Sequence, residues 1–127
     1  TVLREAAAAL AAQAAERHEA LGRRMNLFHA KYDLLMTPQL PLTAFPTGHA
    51  VPPGRGMTRW WEWSPFTYPF NLTGQPACSV PCGWTESSLP VGLQIIGRRF
   101  DDLPVLQAAR ALEKIEPWSD RRPSFSV

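Results

Sequence analysis

Cysteine is scarce in this 127-residue chain, with Cys78 and Cys82 the two present. Four residues apart in an extended run, they stand more than ~13 Å from one another. A direct disulfide would need the chain to bend, so buried free thiols in a reducing compartment are the expected state. His49 lies far upstream, and structural zinc sites draw four ligands from close pairs, so no metal site is expected. Charge of one sign is lacking too. Thirteen Lys and Arg against eleven Asp and Glu leave a net charge of +2, which is not the footprint of a nucleic-acid binder. No apolar run reaches the ~18 residues of a membrane span, and no basic stretch followed by an apolar one opens the chain. The expectation is a soluble, cytoplasmic protein with neither membrane nor nucleic acid as partner.

Proline and aromatic residues are what the chain has in quantity. Eight of the thirteen prolines fall between Pro38 and Pro76, with Gly48, Gly54 and Gly56 among them. That composition predicts a long loop over residues 39–70 without regular elements. Phe45, Trp60, Trp61, Trp63, Phe66, Tyr68 and Phe70 make it too apolar for a solvated linker, and ordered loops of this length are usually functional. Gly54-Arg55-Gly56 is not a phosphate loop, since no strand precedes it and no helix-opening Lys-Ser or Lys-Thr follows. Asn71-Leu72-Thr73 spells a glycosylation acceptor, which chance explains without a secretion signal. With Gly74 and Pro76 nearby, the Asn71 side chain is expected to bond backbone and fix a turn.

Regular elements flank the loop. Leu3, Ala7, Leu10, Ala14, His18, Leu21, Met25, Phe28 and Tyr32 recur at steps of three and four, the stripe of one long amphipathic helix. Its alanine-rich start, Ala6 to Ala15, offers little apolar area and must pack on something large or stand partly free. Strands are expected near 34–37, 78–82 and 91–96, the last two forming a hairpin punctuated by Gly83 and Gly97. In the last strand Val91, Leu93 and Ile95 share a core face. The other face carries Gly92, where a neighbour can approach closely, and Gln94, which needs hydrogen-bond partners if covered. Asp101 or Asp102 caps a final helix whose buried stripe is Val105, Ala108, Ala109, Leu112 and Ile115, ended by Pro117. The tail from Trp118 to Val127 is weakly specified.

The stretch Asn71-Leu-Thr-Gly-Gln-Pro-Ala-Cys-Ser-Val-Pro-Cys-Gly83, followed by Leu89-Pro-Val-Gly-Leu-Gln-Ile-Ile-Gly97-Arg-Arg-Phe-Asp101, resembles the C-terminal conserved region of the amidase signature family. Tyr32 to Pro38 resembles the family's preceding strand, and Leu106 to Glu113 its following helix. The resemblance spans roughly residues 28 to 116. It implies an α/β fold in which this chain is the C-terminal part of the amidase signature fold. The expected architecture is a small mixed sheet flanked by the long first helix and the last one, residues 1–127 being one piece of a larger domain.

Amide hydrolysis needs an activated nucleophile, a base in reach and donors for the developing oxyanion. The resemblance implies a lysine, a serine in a cis peptide and a nucleophilic serine, all in a Gly/Ser-rich signature upstream of the region seen here. The two lysines, Lys31 and Lys114, are on helices away from any serine-rich turn, and the serine pair Ser87-Ser88 sits in the hairpin connection without flanking glycine. No catalytic residue, cofactor or metal ligand is therefore assigned to this chain. A Cys82, His49 and Asp33 site is allowed by residue type, but no spacing brings the three together.

By the same resemblance the segment ahead of Asn71 lies near the substrate end of the cleft. Trp60, Trp61, Trp63, Ser64, Phe66, Tyr68 and Asn71 are the candidate substrate-binding residues, an aromatic wall suited to bulky apolar amides. The glutamine-dependent amidotransferase branch, which makes amidated transfer RNA, usually has an aspartate seven residues ahead of the asparagine; here it is Ser64. Without that carboxylate a charged α-amino group is poorly compensated for its desolvation. The expected function is the scaffold and substrate wall of an amidase acting on carbon–nitrogen bonds other than peptide bonds. Its partners would be the amide substrate and the N-terminal remainder, with self-association of the isolated piece. The alternatives are a non-catalytic interaction module and an A-type amidotransferase component.

Overall fold

The computed structural model describes residues 2–122. In chain order these form α1 (Val2–His29), β1 (Leu34–Pro38), a 3-10 turn (Trp60–Trp63), α2 (Tyr68–Thr73), β2 (Ala77–Trp84), β3 (Pro90–Gly97) and α3 (Leu103–Ile115). β3 is the middle strand of one sheet ordered β1-β3-β2, antiparallel on both sides. The expected α/β fold class holds, but the sheet is antiparallel throughout the described residues, and the parallel pair of a mixed sheet is not among them. Each sheet proline occupies a tolerated place: Pro38 ends an edge strand, Pro90 opens β3, and Pro81 lies on edge strand β2 beside a bulge.

The bulge corrects the reading of the cysteines. Pro81 pairs with Gly92 and Gly83 with Val91, so Cys82 is an extra residue without a partner. A bulge breaks the two-residue alternation. Cys78 is consequently half-buried against the core while Cys82 is exposed, and both are free thiols rather than a buried pair.

The core lies between the sheet and α3. Ile95, Val80 and Val105 are buried together, with Leu34, Cys78, Leu93, Ala108, Ala109, Leu112 and Trp118 packed around them. Full burial of Ile95, which is 0% exposed, contributes about 1.5–3 kcal/mol. α3 covers one end of the sheet, so of the expected core face Ile95 is enclosed and Val91, at the hairpin end, stays open. Ile115 is exposed, and Asp102, at the N-cap position, makes no capping bond with its side chain; the Pro104 imino nitrogen needs no partner there.

α1 divides where its packing begins. From Val2 to Glu19 every residue is exposed, including Leu3 at 86% and Leu10 at 68%. The predicted stripe holds from Leu21 through Met25 to Phe28, which lie half-buried as the helix meets α2. Ala7 and Ala14 are exposed, contrary to the stripe, and Tyr32 remains exposed although its ring lies 4.8 Å from that of Phe28. The helix ends at His29, whose ring Nδ1 donates to the Tyr32 carbonyl at 3.2 Å and whose own carbonyl accepts from the Arg98 guanidinium at 2.7 Å. That cation both satisfies an orphan carbonyl and suits the negative end of the helix dipole.

The loop is less irregular than its composition implies. Two short helices form in it, the 3-10 turn and α2; α2 forms because Pro69 falls at its start, where its missing N–H costs nothing, and because Gly74, at φ 71°, ends it with its N–H on the Phe70 carbonyl. Of the tail, Trp118 packs on the core and the Arg121 guanidinium stands 5.0 Å from the Trp84 ring centroid; residues 123–127 lie outside the described ones.

Gly97 closes the seam between β3 and α3. A Cβ there would stand 2.5 Å from Val105 Cγ2 and 3.3 Å from the Asp101 carbonyl oxygen. Gly97→Ala is expected to cost about 1–3 kcal/mol of stability by overpacking. Gly22→Ala, where nothing lies within 4 Å, should instead gain about 0.5–1 kcal/mol of helix propensity. Urea midpoints of the two variants check both signs.

Candidate functional site

The aromatic segment is shaped by one carboxylate. Glu62 accepts from the backbone N–H of Thr58 at 2.8 Å and of Arg59 at 3.2 Å, closing the 3-10 turn on itself. These two bonds hold its carboxyl below the ordinary value of 4.5. The turn displays Trp60 and Trp61 edge to face, with ring centroids 5.7 Å apart. Tyr68, from the first turn of α2, brings its ring to 6.0 Å from Trp60. The Arg59 guanidinium lies 5.3 Å from the Trp61 ring centroid, a cation–π distance. Trp60 is 57% and Trp61 44% exposed.

The other candidates separate from this cluster. Trp63 turns away: its ring meets Phe45 at 5.4 Å and its indole N–H donates to the Ala50 carbonyl at 3.1 Å, pinning the proline-rich stretch. Ser64 is buried, and its carbonyl accepts from the Thr67 hydroxyl at 3.0 Å. Phe66 is half-buried and its carbonyl is bonded by Gln94. Asn71 is exposed on α2, and no hydrogen bond of its side chain appears among the described residues. The turn it was expected to fix is held instead by Gly74 and by the Thr73 hydroxyl, which donates to the Pro69 carbonyl at 2.7 Å. Trp60, Trp61 and Tyr68 thus form one surface, Asn71 a second, and Trp63, Ser64 and Phe66 the frame between them.

Below Asn71 a hollow of about 260 Å³ opens on the sheet, with Thr67, Phe70, Cys78 and Gln94 on its walls. Gln39 and Ser79 line it too, and they also line a larger, mainly apolar cleft of about 510 Å³ that runs between Leu40–Ala44 and Pro81, Pro90 and Val91. Gly92 lets Gln39 and Ser79 come together, since a Cβ there would fall 3.0 Å from Gln39 Cβ and 3.1 Å from Ser79 Oγ. Gln39 and Ser79 had no distinguishing pattern in the sequence; Gly92, flagged as a place of close approach, was the available sign.

The larger cleft can enclose an apolar group, while the hollow beneath Asn71, with Gln39, Thr67, Ser79 and Gln94 around it, offers polar partners as well. Burial pushes the Cys78 thiol up from its ordinary value, which suppresses the thiolate a nucleophile needs. Ser87 shares a hydrogen bond with the Thr85 hydroxyl in the exposed hairpin loop, and Ser88 sits there at φ 62°. Among the described residues no serine or cysteine is hydrogen-bonded to a histidine or lysine side chain, and no three His, Cys, Asp or Glu converge as metal ligands would. No helix among them is long and apolar enough to cross a membrane.

Residues 2–106 match the family model described as Amidase. The chain belongs to the amidase signature family. The A-type component of the glutamyl-tRNA(Gln) amidotransferase of Brevibacillus brevis is 40% identical over 100 residues, covering 79% of this chain and 20% of that relative. An acylamidase of Rhodococcus erythropolis is 38% identical over 104 residues, covering 79% and 22%. The crystal structure of the corresponding amidotransferase component from Thermotoga maritima matches with a TM-score of 0.72 at 36% identity, over 94% of this chain and 26% of that one. This amidase-family chain therefore spans a fifth to a quarter of the length of these relatives.

Acid tests the frame of the aromatic segment. Because folding lowers the Glu62 carboxyl, its contribution is complete above the ordinary value of 4.5 and fades as pH falls below that, through the folded value. Tryptophan emission should shift in that acid window as the turn loosens. Glu62→Gln, which cannot ionise, should show the loosened spectrum at neutral pH and no such transition; an unchanged acid transition in the variant would contradict the assignment.

Proposed function

We propose that this chain is the C-terminal portion of a cytoplasmic amidase that hydrolyses carboxylic amides other than peptide bonds. Its nucleophilic serine, second serine and lysine would belong to polypeptide preceding these residues. The observation that carries the reading is a pairing: a family match over residues 2–106, with no nucleophile joined to a base among the described residues. In this reading the 127 residues supply scaffold, and Trp60, Trp61, Tyr68 and Asn71 line the substrate end of the cleft. Trp63, Ser64 and Phe66 hold that lining in place.

Bulky apolar amides are the substrate class this wall favours. Two exposed indoles and a phenol ring offer contact area for an aryl or long acyl group, and the apolar cleft beyond Gln39 extends it. Ser64 supports a general amidase over a glutamine-dependent transferase: it is buried, carries no charge, and leaves an α-ammonium without a partner at that position. The amidotransferase component remains the second reading because glutamyl-tRNA(Gln) amidotransferase proteins of the A type are among the relatives.

The isolated chain should self-associate, since the outer edges of β1 and β2 have no partner strand among the described residues and α1 carries uncovered leucines. Expressing this chain joined to the product of the coding sequence upstream tests the whole reading. We expect that sequence to hold a Gly/Ser-rich stretch and a lysine, and the joined protein to hydrolyse aryl amides in preference to glutamine and to lose the self-association. An upstream start codon with no such stretch would favour the interaction module, and glutamine preferred over anilides would favour the transferase.

A further inference from the structure

Gln94 stands at the middle of the sheet and is 3% exposed. Thr37 on β1 and Ser79 on β2 are its register partners. Because Ile95 faces the α3 core, Gln94 projects to the opposite face, under the aromatic segment. Its Nε2 donates to the Phe66 carbonyl at 3.2 Å, a bond spanning 28 residues of chain. Phe66 lies between Ser64, which ends the turn bearing Trp60 and Trp61, and Tyr68, which opens α2 and so leads to Asn71.

Side-chain hydrogen bonds that leave the segment 60–73 for distant chain are few. Trp63 reaches Ala50 within the same loop, and the His18 ring bonds the Leu72 carbonyl from α1. Gln94 is the one that reaches the sheet. The remaining bonds, Glu62 with Thr58 and Arg59, Thr67 to Ser64, and Thr73 with Pro69 and Gln75, are local and cannot fix the segment's distance from the strands.

We propose that Gln94 is a positioning residue: its carboxamide sets the spacing between sheet and aromatic segment, and thereby the width of the hollow beneath Asn71 that receives part of an amide substrate. The substrate half of this proposal rests on the amidase reading above. A carboxamide suits the task because it donates from a buried site without carrying charge. A carboxylate of the same shape would face the Phe66 carbonyl with an acceptor, and leucine would fill the volume without the bond.

Hydrogen exchange on the purified chain reads the tether directly. In both Gln94→Leu and Gln94→Glu, amides of residues 60–73 should exchange roughly fivefold to tenfold faster near neutral pH, while those of α3 stay as in wild type. In Gln94→Glu the defect should be relieved at about pH 5, where a buried, up-shifted carboxyl is protonated and can donate to Phe66. Gln94→Leu should show no such rescue, and Thr37→Val, which removes a hydroxyl without a partner in the same row, should leave the segment unchanged. In the joined enzyme, Gln94→Leu should raise KM for aryl amides several-fold with kcat retained, and leave KM for acetamide unmoved. Unchanged exchange in both variants, or no acid rescue, overturns the tether. Faster exchange with KM for aryl amides unaltered overturns its role in positioning. A joined wild-type enzyme that cleaves no amide refutes the amidase reading and the substrate half with it, while the exchange result still decides the tether.

Discussion

Among the described strands β3 alone is hydrogen-bonded along both edges, and everything else in the molecule is placed by that fact. β1 and β2 are each satisfied on one side by β3 and open on the other. The ladder is prolonged at both ends by backbone: the Gln39 N–H donates to the Gly92 carbonyl and the Gly97 N–H to the Pro76 carbonyl, both at 2.9 Å. Those two bonds fix where the loop leaves the sheet and where α2 hands the chain back to it. An unpaired strand edge is costly in isolation and an invitation to partners, which is the physical ground for the self-association expected of this chain.

The two faces of β3 divide the work. Toward α3, Ile95 is enclosed with Val80 and Val105, an apolar contact that gives the piece its own core. On the opposite face Gln94 meets the aromatic segment. Rings carried on a loop need such an anchor to keep their place, because loops lack the ladder bonds that make strands stiff. The rings offer contact area and orientation. They offer no nucleophile and no base, so what they bring to the proposed function is contact alone.

Much of this architecture was legible in the sequence. Alternation in Val91–Ile96 and the glycine and proline punctuation located the hairpin, and the motif from Asn71 to Asp101 located the family, because strand period and turn chemistry are local properties. What escaped was set by contacts at a distance. The bulge at Cys82 follows from pairing with Gly92 and Val91, which no local pattern records. The stripe on α1 is real as periodicity, yet a stripe says which face would be buried, never whether anything is there to bury it. Among the similar aromatic residues, the difference between displayed Trp60 and inward-turned Trp63 depends on Phe45 and the Ala50 carbonyl, both well removed along the chain.

On the proposed function, recognition and reaction are divided between this polypeptide and another stretch of chain. The most direct test of that division is the hydrolysis of a simple anilide by the purified 127 residues alone. The expected rate equals that of buffer at every enzyme concentration. Hydrolysis proportional to enzyme and abolished by replacing one serine or cysteine of this chain would contradict it.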